Sequence, residues 1–169
     1  FKGLYGTELT LVDDTVNIVI RPTELSLKDS TFVVFDTETT GFNAGGDDQM
    51  IEIGAVKICG DEIVDRFDEL IDPKRHIPNK ITELTCITDE MVSGKDDEET
   101  VTKKFLTWAG DLPMVAHNAK FDISFIEMAM KKYNLGEFKN TVIDTLELSR
   151  TLDQGFARHS LSALVKRYN

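Results

Sequence analysis

The sequence predicts a single α/β domain in which helices flank a mixed β-sheet. Its 169 residues, 41% of them hydrophobic, can bury one sizeable core. Strand-like segments dominate the chain as far as residue 71, and helical patterns then alternate with short strands. No internal repeat or low-complexity linker divides the chain.

Residues 1–28 are predicted to form an N-terminal flanking segment, and residues 29–169 the main domain. The stretch ELTLVDDTVNIVI alternates like a short hairpin with its turn at Asp13 and Asp14, and Pro22 ends it.

Four further strands are predicted after this segment. Residues 32–35 form a continuous β-prone run, as expected of a central strand that is covered on both faces. Residues 51–58 and 63–71 are joined by a short turn and should form an antiparallel hairpin. Residues 114–116 are predicted to be a short buried strand.

Helices are predicted mainly in the second half of the chain, where apolar residues recur at helical spacing. Their ranges are 98–108, 119–133, 145–152 and a segment that begins after Ser160. In the last helix, Leu161, Leu164 and Tyr168 are expected to face a core.

The composition restricts the class of protein. A net charge of −11 argues against tight binding of duplex phosphates, unless bound divalent cations reverse the local field. Cys59 and Cys86 are isolated, so neither a structural zinc site nor a disulfide framework is expected. The sequence therefore predicts a reducing, cytoplasmic setting. No apolar run approaches the roughly 18 residues that a membrane span needs.

Two carboxylates follow the predicted central strand. Because strand side chains alternate, Asp36 and Glu38 should point to one face and Thr37 to the other. Carboxylates one pleat apart can share a hard cation such as Mg²⁺ or Mn²⁺. The alternative interpretation is a polar strand end with solvated acids.

A third acid, Asp122, lies in the first turn of the predicted helix 119–133. It shares a helix face with Ile126 and Ala129, which should pack inward, and an inward acid needs a partner or a metal. Capping of the helix dipole is an equally good interpretation of this residue taken alone. Asn118 is predicted to be the helix cap.

The combination of FDTETTG and HNAKFD, with ITELTCITDEM between them, resembles the sequence motifs of the DEDD 3′→5′ exonuclease superfamily. Within it, VVFDTETTG, IEIGAVKI, VAHNAKFD and VIDTLELSR are most similar to the exonuclease domains of PolC-type DNA polymerase III. The segment GTELTLVDDTVNIVI is similar to the end of the PHP domain that flanks this exonuclease domain.

The resemblance implies a ribonuclease-H-like fold with a five-stranded mixed sheet and helices on both faces. It also implies a proofreading enzyme that releases 5′-mononucleotides from the 3′ end of single-stranded DNA within a larger polymerase chain. Two divalent cations, Mg²⁺ or Mn²⁺, would bind at Asp36, Glu38 and Asp122, which are the expected catalytic acids. The terminal nucleotide would contact six residues: Thr37, Thr39, Thr40, Leu84, Thr85 and Phe121. For Leu84 and Phe121, core packing is a comparable interpretation.

The chain departs from the family pattern at three places. The fourth acid and the general base are expected beyond Asn169, because position 164 is Leu where an Asp should follow His159 by five residues. His159 and Asp144 are therefore interpreted as framework residues. Cys86 stands where related sequences have glycine.

Three other functions are compatible with parts of the sequence. They are an exoribonuclease of the same superfamily, an inactive binding module, and an unrelated acidic interaction domain. Metal-dependent release of mononucleotides separates the enzymes from the binding modules, and matched DNA and RNA strands separate the two nucleases.

Overall fold

The computed structural model describes residues 17–168, which fold into a six-stranded mixed sheet with helices on both faces. The strands are β1 (Val19–Ile20), β2 (Thr31–Thr39), β3 (Met50–Cys59), β4 (Glu62–Leu70), β5 (Met114–Ala116) and β6 (Val142–Asp144). The helices are α1 (Asn79–Thr85), α2 (Asp89–Val92), α3 (Glu98–Ala109), α4 (Ala119–Lys132), α5 (Thr145–Leu152) and α6 (Leu161–Tyr168).

The order of strands in the sheet is β1-β6-β5-β2-β3-β4. Strands β2, β3 and β4 are antiparallel neighbours, whereas β5 and β6 run parallel to β2. The carboxyl ends of these parallel strands meet at one edge of the sheet, which is where open α/β sheets place their ligand sites. The end of β2, the turn after β5 and the end of β6 therefore lie together.

The main core lies between one face of the sheet and helices α3 and α4. Val33 and Phe35 of β2, Phe105 of α3, and Phe125 and Ile126 of α4 belong to it. A smaller cluster joins α1 and α2 to the start of β3. The alternation along β2 therefore sends every second side chain into the main core and the others to the opposite face.

The predicted fold class is confirmed, with six strands rather than five. The additional strand is β1, whose two residues pair antiparallel with β6. The other arm of the predicted hairpin falls on residues outside the described range. Helices α1 and α2 and strand β6 were not predicted, and the bounds of the predicted elements agree with the structure to within a few residues.

The core contact predicted for α6 is wrong. None of its described residues is buried, and Leu161 and Tyr168 are mostly exposed. The helix is instead anchored by polar contacts, because Tyr168 donates a hydrogen bond of 2.7 Å to Asp153 and Arg167 pairs with the same carboxylate. A groove of about 320 Å³ remains between α6 and the sheet, and it extends to Asp36.

No helix within residues 17–168 has the length and apolar character needed to cross a membrane.

Candidate active site

The end of β2 presents two acids on the face opposite the main core. Asp36 is exposed and Glu38 is partly buried, whereas Thr37 between them is buried on the other face, as predicted. The ladder with β3 shifts its register between Glu38 and Thr39. The extra residue is Ile51 of β3, which has no partner in β2, and bulges of this kind are common beside functional sites.

Asp122 reaches this strand end from the first turn of α4. Its side chain is 1% exposed, which confirms the inward orientation that the sequence predicts. Its Oδ1 atom accepts hydrogen bonds from the backbone N–H of Thr37 at 3.0 Å and from the Thr37 hydroxyl at 2.7 Å. Asp122 therefore approaches β2 on the face of Thr37, between the core and the acids of the strand.

Burial makes ionisation of these acids unfavourable. It raises the pKa of Asp122 to about 7, against the two Thr37 hydrogen bonds, and the charge of Asp36 adds to the rise. Asp36 is exposed, but the surrounding residues remove part of its hydration, which raises its pKa, while the Thr37 backbone N–H and His117 oppose that change. The pKa of Glu38 is raised by burial and then by repulsion from Asp36 and Glu52. A cation at this position would relieve both the repulsion and the cost of burial.

Glu52 is an acid of this face that the sequence analysis did not identify. It lies directly opposite Glu38 in the β2–β3 ladder. Burial raises its pKa first, and repulsion from Asp68 and Asp36 raises it further. Alternation within IEIGAVKI, paired in register with β2, is the signal that could have placed it there.

The three predicted metal ligands are the type of donor that a hard divalent cation requires. Within residues 17–168, however, no three His, Cys, Asp or Glu side chains converge closely enough to hold a metal. The reason is geometric, since Asp122 contacts Thr37 on one face while Asp36 and Glu38 project from the other. Binding of one cation by all three acids would therefore require these side chains to rearrange, and of the two strand acids Asp36 is exposed and Glu38 partly buried.

The predicted threonines of the nucleotide pocket have buried side chains. Thr39 donates a hydrogen bond of 2.5 Å to the carbonyl of Gly41. The Thr40 hydroxyl lies 3.3 Å from Asp48 and accepts the backbone N–H of Gln49 at 3.0 Å. In this conformation, Thr37, Thr39 and Thr40 could contact a nucleotide only through their backbone atoms.

Leu84 and Thr85 end helix α1, whose position is fixed by the smaller core. Ile81, three residues before Leu84, packs in that cluster with Ile51 of β3. Leu84 itself is 68% exposed, so the interpretation as a core residue is not supported. The Thr85 hydroxyl donates to the carbonyl of Ile81 at 3.0 Å.

Cys86 ends this helix in the left-handed conformation, with φ of 63° and ψ of 9°. Glycine adopts this conformation without the steric cost of a Cβ atom. The glycine that the family resemblance implies at this position therefore has a structural explanation.

An aromatic row lies beside the turn that follows β2. Phe121 is half-buried, and its ring centroid lies 5.1 Å from that of Phe125 and 6.2 Å from that of Phe42. Phe42 is 76% exposed and forms the outer end of the row. Phe42 was not among the residues predicted from the sequence, although an aromatic residue directly after the Thr-Thr-Gly turn was a usable signal.

The structure places His159 away from these acids, in the loop between α5 and α6. Its Nε2 atom lies 2.9 Å from the carbonyl oxygen of Phe156, and its Nδ1 atom lies 3.1 Å from the Ser149 hydroxyl. Both ring nitrogens therefore take part in the structure of this loop, in agreement with the framework role predicted for His159.

Comparison with known proteins connects this geometry to a family. A family model described as exonuclease matches residues 33–169. DNA polymerase III PolC-type from Staphylococcus epidermidis is 44% identical over 167 residues, and the protein of that name from Halalkalibacterium halodurans is 46% identical over 168. Each alignment covers 99% of this chain and 12% of the relative, so the chain spans about an eighth of the length of these proteins.

Two solved structures are also similar. Exonuclease X in complex with 5′ overhanging duplex DNA has a TM-score of 0.61 and 30% identity, over 80% of this chain and 72% of the other. Exonuclease I with bound product has a TM-score of 0.70 and 17% identity, over 82% of this chain and 38% of the other, and supports the fold.

Proposed function

The chain belongs to the exonuclease family, and from this membership we propose that it removes mispaired 3′-terminal nucleotides as the proofreading domain of a PolC-type DNA polymerase. The family implies dependence on a divalent metal. We assign two ions, Mg²⁺ or Mn²⁺, to Asp36, Glu38 and Asp122.

One observation carries the assignment of the site. A carboxylate that is almost completely buried, Asp122, is held against the strand segment that bears two further acids, and its pKa is raised to about 7. A helix cap alone does not require a buried acid this close to Asp36, whose charge contributes to the raised pKa of Asp122. The same arrangement becomes favourable once a divalent cation balances the three charges.

The chain contributes positioning and charge to the reaction. When bound, the ions supply Lewis-acid stabilisation of the phosphate and lower the pKa of an attacking water. Thr37 holds Asp122 in place, so that this ligand does not have to be ordered when the ion and the substrate bind. Because Oδ1 accepts both Thr37 hydrogen bonds, Oδ2 is the atom of Asp122 available to a cation.

Phe42, Phe121 and Leu84 would contact the terminal base. Phe42 and Leu84 are exposed, and Phe121 supports Phe42 from the core side. Stacking of a base on an aromatic ring contributes about 1–3 kcal/mol and tolerates every base, which suits an enzyme that removes any mispaired nucleotide. Contacts with the backbone of Thr37, Thr39 and Thr40 would complete this pocket.

The larger protein is part of the proposal. The relatives named DNA polymerase III PolC-type are about eight times longer than the matched region. We therefore propose residues 29–169 as an exonuclease domain inside such a polymerase, with residues 1–28 as its flanking segment. Its substrate would be a single-stranded 3′ end that the polymerase part delivers.

The test uses a polymerase that carries this domain and a 5′-labelled primer with a matched or mismatched 3′ end. With Mg²⁺ or Mn²⁺, we expect release of 5′-mononucleotides, faster from the mismatched primer and from DNA than from an RNA strand of the same sequence. Asp36→Ala should abolish the release, whereas Asp61→Ala, at the β3–β4 turn, should not. Release that persists in Asp36→Ala, or that requires no metal, would overturn the proposal.

A further inference from the structure

Asp144 is a second buried carboxylate at the edge of the sheet where the parallel strands end. It accepts hydrogen bonds from backbone N–H groups and does not point toward the proposed metal ligands. It ends β6 and is 2% exposed. Its Oδ1 atom accepts the N–H of Asn118 at 3.0 Å, and its Oδ2 atom accepts the N–H of Ala119 at 3.0 Å. Oδ1 also accepts the N–H of Leu146 at 2.9 Å. One side chain thus ties the start of α5 to the turn between β5 and α4.

Thr145 holds the same turn from the next position in the chain. Its hydroxyl lies 3.2 Å from the carbonyl oxygen of Ala116, to which it donates, and 3.0 Å from Nδ1 of His117. Asp144 and Thr145 together therefore contact every residue from Ala116 to Ala119.

This turn needs external support. Asn118 adopts the left-handed conformation, with φ of 66° and ψ of 46°, and its side chain makes no capping hydrogen bond. Asparagine adopts this conformation more readily than other residues with a Cβ atom, and the conformation persists where the surroundings hold it. The side-chain cap predicted for Asn118 is thus absent, and Asp144 accepts N–H groups of the turn and of the first residue of α4 instead.

The turn determines where α4 begins, and α4 carries Asp122 in its first turn. A change in the conformation of Asn118 would shift or rotate the start of the helix. The bond from Thr37 to Asp122 is made across the gap between this helix and β2. Its geometry therefore depends on the turn.

We propose that Asp144 and Thr145 are positioning residues, which brace the turn 117–119 and so place Asp122 against Thr37 for metal binding. The inference rests on the proposed function, because it concerns the same metal site. It differs from a general contribution to folding, since it predicts a loss of metal affinity in a chain that remains folded.

The experiment compares Asp144→Asn with Glu98→Gln, by calorimetric titration with Mn²⁺ at a temperature where urea unfolding shows both variants folded. Glu98 is a matched control because it is also a buried carboxylate, accepts the backbone N–H of Met50 at 3.2 Å, and pairs with Lys132 at the other end of α4. Asparagine retains one acceptor oxygen where the turn and α5 present three N–H groups. Loss of a residue that orients a ligand typically weakens metal affinity about 10- to 100-fold.

We expect this loss in Asp144→Asn and an affinity within about threefold of wild type in Glu98→Gln. Amide exchange at Asn118 and Ala119 should accelerate only in the former. Thr145→Val, which retains shape and removes the hydroxyl, should weaken Mn²⁺ binding at least threefold and decides the matter if Asp144→Asn does not fold.

Wild-type Mn²⁺ affinity in Asp144→Asn, or equal losses of affinity in Asp144→Asn and Glu98→Gln, would contradict the positioning role of Asp144 and Thr145. Neither result would contradict the proposed metal site. If Asp144→Asn does not fold, wild-type affinity in Thr145→Val has the same meaning. Absence of Mn²⁺ binding by the wild type would contradict both the positioning role and the proposed metal site.

Discussion

Asp122 accepts two hydrogen bonds from Thr37, one from the backbone N–H and one from the hydroxyl, through a single carboxylate oxygen. These residues are 85 positions apart in the sequence, and their contact joins α4 to the end of β2. An asparagine side chain has a carbonyl oxygen in the same position and can accept both bonds. The contact is therefore compatible with loss of the charge.

The first prediction follows from this compatibility. Asp122→Asn should abolish Mn²⁺ binding and leave the metal-free chain at least as stable as wild type at pH 8. It keeps the shape and the Thr37 bonds while it removes a buried charge that Asp36 repels. Urea unfolding in the presence of a chelator measures this stability. A large loss would mean that the ionised carboxylate itself stabilises the fold.

A second prediction concerns pH. A carboxyl group whose pKa is higher in the folded chain than in the unfolded one opposes folding wherever it is ionised. The pKa of Asp122 rises from 3.8 to about 7, so the metal-free free energy of unfolding should fall as pH increases across this interval. At about 1.4 kcal/mol per unit, the full loss is on the order of 4–5 kcal/mol.

Asp122→Asn provides the control for this measurement. Its advantage in stability over wild type should be smallest below about pH 4, where Asp122 is protonated in both the folded and the unfolded chain, and should reach its full value near pH 7. Parallel stability curves for the two proteins between pH 4 and pH 8 would contradict the raised pKa. The raised pKa values of Asp36 and Glu38 act in the same direction in both proteins.

A third prediction tests the aromatic row. Phe42→Ala should weaken binding of a single-stranded oligonucleotide by about 1–3 kcal/mol, because the exposed ring offers a stacking surface. Fluorescence anisotropy with Ca²⁺ in place of the catalytic metal measures this affinity. Phe156→Ala is the control, since Phe156 is also exposed but lies between α5 and α6, against Arg167. Equal effects of the two substitutions would exclude a specific role for Phe42.

The fold was predictable from the sequence mainly where local periodicity determines it. Alternation along β2 correctly separated Asp36 and Glu38 from Thr37, and the helical stripe of α4 correctly placed Asp122 inward. Helices α1 and α2 are short, with seven and four residues, and depend on packing against Ile51. Single-sequence periodicity is weakest for such elements because tertiary contacts stabilise them.

The site was only partly predictable for a similar reason. The sequence motifs bring Asp36, Glu38 and Asp122 to one edge of the sheet, but they do not show which atom each carboxylate faces. The partner of Asp122 and the three N–H groups bound by Asp144 depend on how β2, β5 and β6 align. The amphipathic stripe of α6 predicted burial that the tertiary structure does not provide.

A fourth prediction concerns the left-handed residue at the end of α1. Cys86→Gly should leave the free energy of unfolding unchanged or increase it by up to about 1 kcal/mol. At φ of 63° a Cβ atom lies too close to the backbone, and glycine lacks this atom. Cys59→Gly, in the exposed end of β3, should instead decrease it by about 0.5–1 kcal/mol. Urea unfolding compares the two. A loss at position 86 as large as at position 59 would contradict the strain argument.

The acids at the end of β2 and the start of α4 are proposed to bind a divalent cation. Calorimetric titration of the wild type, Asp36→Ala and Asp61→Ala with Mn²⁺ measures this binding. We predict binding by the wild type and by Asp61→Ala, which removes an acid at the β3–β4 turn, and at least tenfold weaker binding by Asp36→Ala. Equal affinity of Asp36→Ala and wild type would contradict the account.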